Sequence, residues 1–406
     1  MSTKLRVTPP DTSTMPSREA TFDRDNPGGF RHILALDGIR GLAIMLVLFD
    51  HLFWANGRTG SKIFDFISVL RGSSYVGVNL FFALSGFLIT GILLDTLKTP
   101  HFFASFYARR SLRIFPLYYG FLLLLLCLTP SLHMTWSGWQ YFFLTYTANL
   151  ARPFRHVPLD LRYFNINHFW SLQVEEQFYW VWPLIVYRLR SARSIIRISL
   201  LGCGAAFCVR VLCVLLKSHP IFSDQYLPYS FTPACADSIL YGCCLAALVR
   251  TAARERLLRL ARYVLPASLA ILCVFGVVNG GLDWMNPSTG WLIATFGFSV
   301  VGVASAATIA LALQFGSRTA RFFQGRFLRF MGKYSYGIYV FHYSVASVMS
   351  PLRSFFNAHL HVKALSVLFA ALIAAVLSIA IAWVSYKFFE APFLRLKRFF
   401  SYNQTA

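Results

Sequence analysis

Along this chain the polar and apolar positions do not alternate with the short periods of half-buried strands or surface helices; they fall into long blocks. Apolar blocks long enough to cross a hydrocarbon core of about 30 Å occupy residues 33–54, 73–97, 113–130, 168–187, 198–217, 232–249, 263–280, 291–314, 334–350 and 364–389. A shorter piece, WSGWQYFFLTYTANL at 136–150, is too brief for a crossing and suits an interfacial or re-entrant helix. Only helices or closed barrels satisfy the backbone in lipid. The pattern therefore predicts an all-α fold, a polytopic transmembrane helix bundle of about ten spans plus that short helix. Residues 1–32, polar and rich in Pro, Ser and Thr, read as a disordered cytoplasmic leader, 33–394 as the membrane domain and 395–406 as a cytoplasmic tail.

Composition agrees: 56% of the 406 residues are hydrophobic and 13% charged. The net charge of +22 would suit a nucleic-acid binder, so the placement of the cations has to decide. With the N-terminus in the cytoplasm, 26 Lys and Arg fall in cytoplasmic segments and 8 on the far side, while Arg40, Arg210, Lys217 and Lys387 lie within spans. That asymmetry follows the positive-inside rule. The basic character is thus topogenic, nucleic acid is not an expected partner, and both termini are expected in the cytoplasm of a cell-membrane protein. The eight cysteines all sit in apolar blocks without metal-ligand spacing, so no metal site is predicted.

Ionisable groups inside apolar blocks are costly and mark pathways or paired sites. LDGIRGLAIMLVLFDH at 36–51 contains Asp37, Arg40, Asp50 and His51. Eleven residues at about 100° each come within about 20° of three full turns, so Arg40 and His51 share a helix face roughly 16 Å apart. Asp37 stands one turn before Arg40, where it could orient the guanidinium or form a boundary pair with it. In FYARRSLRIFPLYY at 106–119, Arg110 and Arg113 are neighbours on one face at the cytoplasmic end, suited to phosphate contacts or to simple anchoring. NHFWSLQVEEQFYWVWPL at 167–184 sets His168 and Glu175 two turns apart, with Glu176 adjacent. GKYSYGIYVFHY at 332–343 adds His342. Asp237, in TPACAD, has no assigned partner.

Taken in order, LDGIRGLAIMLVLFDH, VGVNLFFALSGFLITGILL, YARRSLRIFP, HFWSLQVEEQFYWVWP, SYGIYVFH and a terminal FFEAPF resemble the acyltransferase family 3 of integral membrane O-acyltransferases. One departure is ACAD at 234–237, where family members often carry an Arg shortly before the Asp. The resemblance implies transfer of an acyl group, usually acetyl, from cytoplasmic acyl-CoA to a hydroxyl of an envelope or secreted carbohydrate. With no hydrolase-like domain after the last span, it implies a membrane unit acting alone or with a separate partner. On that reading Arg110 and Arg113, with Arg109 as a helper, would meet the CoA phosphates, and Arg40 would lie along the entering arm. His51 would stand near the thioester as general base or transient acyl carrier, with Glu175 as the assisting carboxylate. The competing reading is a proton-coupled transporter or flippase using the same buried groups.

Overall fold

The computed structural model describes residues 33–53, 75–130, 138, 140–154, 160–161, 164–283 and 290–402. The expected leader at 1–32 and the end of the tail lie outside the described residues. Among the described residues ten helices of fifteen residues or more follow one another in the expected order: α1 Leu34–Leu52, α2 Tyr75–Thr96, α3 Phe102–Leu128, α4 Trp170–Leu189, α5 Ala192–Leu215, α6 Thr232–Leu248, α7 Arg254–Asn279, α8 Phe298–Ala312, α9 Arg326–Val348 and α10 Lys363–Ser385. A two-residue antiparallel pairing, Asp160–Leu161 with Phe164–Asn165, is the one strand contact among the described residues.

Among the described residues seven helical segments are long and apolar enough, by length and composition, to cross a membrane. The three long helices outside that set are α1, α4 and α9. Each carries several ionisable residues, Asp37, Arg40 and Asp50 on α1, Glu175 and Glu176 on α4, and Arg326, Arg329 and Lys333 on α9. A count of ten spans therefore goes further than apolarity alone supports. Helix starts differ as well. α3, α5, α7 and α9 begin at Phe102, Ala192, Arg254 and Arg326, ahead of the apolar blocks expected from 113, 198, 263 and 334. The extra turns are rich in arginine, and hydropathy registers where hydrocarbon begins rather than where a helix starts.

The short 136–150 piece forms two four-residue helices, Tyr141–Leu144 and Ala148–Ala151. The Tyr118 and Tyr119 hydroxyls of α3 donate to the carbonyls of Phe143 (2.8 Å) and Leu144 (2.9 Å). The Asn149 N–H donates to Gln173 Oε1 on α4 at 2.8 Å, so the piece is stitched to the bundle through backbone groups that a crossing helix would keep to itself.

Glycines set the closest helix approaches. A Cβ on Gly332 of α9 would lie 1.8 Å from the Asp37 carbonyl oxygen of α1, and one on Gly41 would lie 1.9 Å from that of Leu328. Backbones can touch only where no side chain intervenes. α1 and α9 run parallel, because Gly332 meets Asp37 and Gly41 at one end while His342 meets His51 at the other. Gly86 of α2 and Gly242 of α6 form a second such crossing, each blocked by a carbonyl of the other helix. Around this core, α5, α7 and α10 expose large apolar side chains such as Leu201, Val277 and Val376, as lipid contact requires.

Away from the core crossing, Arg210 of α5 and Asp237 of α6 are completely buried and joined by two parallel hydrogen bonds of 2.8 Å. Arg210 also donates to the carbonyls of Ala234 (2.6 Å) and Thr295 (3.2 Å) and to the Ser299 hydroxyl, which in turn donates to Asp237 at 2.8 Å. The residues 293–297 entering α8 form a π-helical turn. Asp237, unassigned from sequence, thus receives its guanidinium from the preceding long helix.

Candidate active site

A cavity opens between α1, α2, α3, α4 and α9, lined by Arg40, Arg110, Arg113, Glu175, Glu176 and Tyr179 together with hydroxyl groups and apolar side chains. The residues that sequence placed on three separate segments converge here because α1, α3 and α4 each turn their ionisable face inward. Arg40 donates to Asp37 Oδ1 at 2.8 Å one turn earlier on the same helix. The Arg110 guanidinium lies over the Tyr179 ring, 4.3 Å from its centroid, and the Tyr179 hydroxyl is 2.5 Å from Ser85 Oγ of α2. A cation held over a ring face is anchored without spending its hydrogen-bond donors. Arg110 Nε and Glu176 Oε1 are buried with no hydrogen-bond partner among the described residues.

Arg109 faces elsewhere. Its guanidinium donates to the carbonyls of Lys397 (3.1 Å) and Phe400 (3.4 Å), and it does not line the cavity. Adjacent residues on a helix point about 100° apart, so when Arg110 turns inward Arg109 is carried toward the C-terminal segment.

At the other end of the cavity stand Ser171 of α4 and Tyr339 of α9. Their hydroxyls are 2.5 Å apart and lie 3.1 and 2.9 Å from the His168 carbonyl, so one donates to that carbonyl and the other to its neighbour. Directly behind them is a cluster of imidazoles. His51 Nδ1 and His342 Nε2 are 2.8 Å apart. The His168 ring lies 4.8 Å from that of His342 and 6.5 Å from that of His51, centroid to centroid. His168 and His342 are buried, while the side chain of His51 keeps 23% exposure, so of the three it is the one open to a reactant. Tyr343 covers one side of His51 at 4.5 Å, and Asp50 Oδ2 lies 3.8 Å from His51 Nε2.

His168 belongs to a 3-10 turn, Asn167–Phe169, ahead of α4 rather than to the helix that carries Glu175. Glu175 lines the arginine end of the cavity, and no hydrogen bond joins it to His51 among the described residues. The partner that sequence reasoning missed for His51 is His342. A signal was present: Gly41 to His51 and Gly332 to His342 are both ten-residue intervals. Two parallel helices in glycine contact thereby carry both histidines to one depth. The cavity thus runs from a cluster of guanidinium groups to Ser171 and Tyr339, behind which the paired imidazoles lie, placing groups able to hold an anion near groups able to move a proton.

Comparison with known proteins adds an independent line. A family described as an acyltransferase domain matches residues 33–387. The O-acetyltransferase OatA of Staphylococcus aureus is 26% identical over 396 residues, covering 91% of this chain and 58% of its own length. The putative peptidoglycan O-acetyltransferase YrhL of Bacillus subtilis is 28% identical over 401 residues, covering 92% and 56%. The peptidoglycan O-acetyltransferase OatA of Listeria monocytogenes is 25% identical over 399 residues, covering 92% and 57%. The chain therefore spans somewhat over half the length of these relatives. No solved structure matches.

Proposed function

The chain belongs to the acyltransferase-domain family, and from that premise we propose that it transfers an acyl group, acetyl in the first instance, from acyl-CoA to a hydroxyl of a cell-envelope carbohydrate. A glycan of the peptidoglycan type is the first acceptor to try, since two of the relatives carry that substrate in their names. The observation that carries the proposal is the continuity from the Arg40, Arg110 and Arg113 end of the cavity to Tyr339 and Ser171, with His168 and His342 packed against Tyr339 and His51 bonded in turn to His342.

Acyl-CoA is the donor substrate in this reading. Guanidinium groups suit its phosphates, and the unpartnered Nε of Arg110 supports the fit, because a buried donor left without a partner costs about 1–3 kcal/mol that a ligand oxygen would relieve. In the reaction the His51 imidazole takes the proton of the acceptor hydroxyl as its oxygen bonds to the thioester carbon. The carbon–sulfur bond then breaks with its electron pair on sulfur, and the thiolate takes the proton from His51. The donor enters from the cytoplasm and all ten long helices cross the bilayer, α1 and α4 tolerating Arg40, Glu175 and Glu176 because these face the cavity, and α9 because its cations sit in its first turns, ahead of the apolar stretch.

The test uses purified protein in liposomes supplied with acetyl-labelled CoA thioester and a soluble glycan. Label on the glycan with one equivalent of free thiol is the expected result. His51→Ala should lower the rate by about 10³-fold while the protein still inserts. Solute movement without thiol release would instead identify a transporter and overturn the reading.

A further inference from the structure

Which nitrogen of His51 reacts is written in the contacts of His342. His342 Nδ1 lies 2.8 Å from the Tyr339 carbonyl oxygen and 3.2 Å from that of Ile338, the i−3 and i−4 carbonyls of its own helix. Carbonyls only accept, so Nδ1 of His342 carries a hydrogen. The ring is fully buried and no described carboxylate pairs with it, which makes the neutral form the cheaper one to bury. A neutral ring with its hydrogen on Nδ1 presents a lone pair at Nε2. His51 Nδ1, 2.8 Å away, must then be the donor, and in the neutral ring the lone pair of His51 falls on Nε2, from which Asp50 Oδ2 at 3.8 Å is beyond hydrogen-bond reach.

We infer that His342 is a positioning residue that holds His51 in its Nδ1–H tautomer, leaving Nε2 as the nitrogen that meets the acceptor hydroxyl. The inference rests on the acyl-transfer reading above and deepens it. The order is backbone carbonyl, His342, His51, reactant, so a helix carbonyl and a second imidazole stand where a carboxylate stands in a Ser-His-Asp arrangement. The orientation is well held. His342 bonds to its own helix, its ring is flanked by Tyr339 and His168, and the glycine contact of Gly332 with α1 sets its depth. A 180° flip of the His342 ring would set carbon atoms against the Tyr339 carbonyl and against His51, losing both bonds. Glu175 is not needed for this task.

The variants that test it are His342→Phe, which keeps the ring bulk and removes the acceptor, and His342→Gln, whose side-chain oxygen can stand where Nε2 stands. Both should bind acyl-CoA as the parent does, with KM for the donor unchanged. His342→Phe should lower kcat by about 10³- to 10⁴-fold, the scale of a lost tautomer, and His342→Gln should restore at least a hundredfold of that loss. Independently, nitrogen-15 NMR of histidine-labelled wild-type protein, with His51 assigned by its loss in His51→Ala, should show hydrogen on Nδ1 and none on Nε2. A His342→Phe protein with wild-type kcat, a Gln variant as inactive as Phe while donor binding is intact, or a His51 ring protonated at Nε2 alone would each overturn the inference. Because the NMR signature needs no turnover, it still decides this point if the wild-type protein proves to transfer nothing, a result that would sink the acyl-transfer reading instead.

Discussion

Arg110 illustrates how one side chain can be held for binding without being consumed by its surroundings. Its guanidinium is anchored by the face of Tyr179, which leaves hydrogen-bond donors unspent, Nε among them. A lysine would keep the charge but lose the planar, forked donors. Arg110→Lys is therefore expected to raise KM for acyl-CoA about tenfold with kcat within a factor of about two, the signature of lost ground-state binding, read from initial rates across donor concentration. Arg40 and Arg113 share the cavity, whereas Arg109 serves the C-terminal segment, so Arg109→Ala should leave KM for the donor near the parent value. At this scale the sequence was informative about residues whose placement follows from helix geometry. Asp37 and Arg40 form the bond their spacing allows, and Arg110 and Arg113 share a face. On partners from distant segments it offered at most the matching ten-residue intervals from Gly41 to His51 and from Gly332 to His342. Nothing local in SYGIYVFH says that its histidine meets the one in LDGIRGLAIMLVLFDH, and nothing in TPACAD names Arg210.

Between elements, the decisive contact is that of α1 with α9. Gly41 and Gly332 let the two backbones touch, and the histidine pair lies ten residues further along each. A bulky side chain at position 332 must push α9 off α1, because the obstacle is a carbonyl oxygen that has no rotamer to adopt. Gly332→Leu should cost about 1–3 kcal/mol in stability, the usual range for overpacking, and should lower transfer far more than that loss of folded protein explains, since it separates His342 from His51. Thermal unfolding in detergent beside the turnover rate of the surviving folded fraction checks both parts. The helix order was readable from apolar blocks, but the starts of α3, α5, α7 and α9 were not, because arginine-rich turns are helical without being apolar.

For the molecule as a whole, activity and stability are held in different places. The buried Arg210–Asp237 pair, with Ser299, ties α5, α6 and the entry to α8 into one unit and lines no part of the cavity. Removing one partner of such a pair strands a buried charge, at a cost of about 3 kcal/mol or more. Asp237→Asn should therefore lower the unfolding temperature clearly while KM values of the protein that remains folded stay as they were, measured on the same preparation. The count of spans was the least legible global property. The three long helices that depart from plain apolarity, α1, α4 and α9, all contribute to the cavity alongside α2 and α3, and on α1 and α4 the residues that mark the site, Arg40, Glu175 and Glu176, are among those that blur the hydropathy signal.

One flank of α9 has a practical consequence. Tyr336 donates to the Ile114 carbonyl of α3 at 2.7 Å, Tyr339 reaches Ser171 of α4, and His342 meets His51 of α1, three contacts at successive three-residue steps. A rigid rod pinned at three points cannot be tilted at one without disturbing the others. A small hydrophobic compound wedged between Tyr336 and α3 would accordingly misalign the histidines about 9 Å further along the rod. Such an inhibitor would imitate neither coenzyme A nor a sugar, yet because Tyr336 and Ile114 both line the cavity the donor would compete with it while the acceptor would not displace it directly.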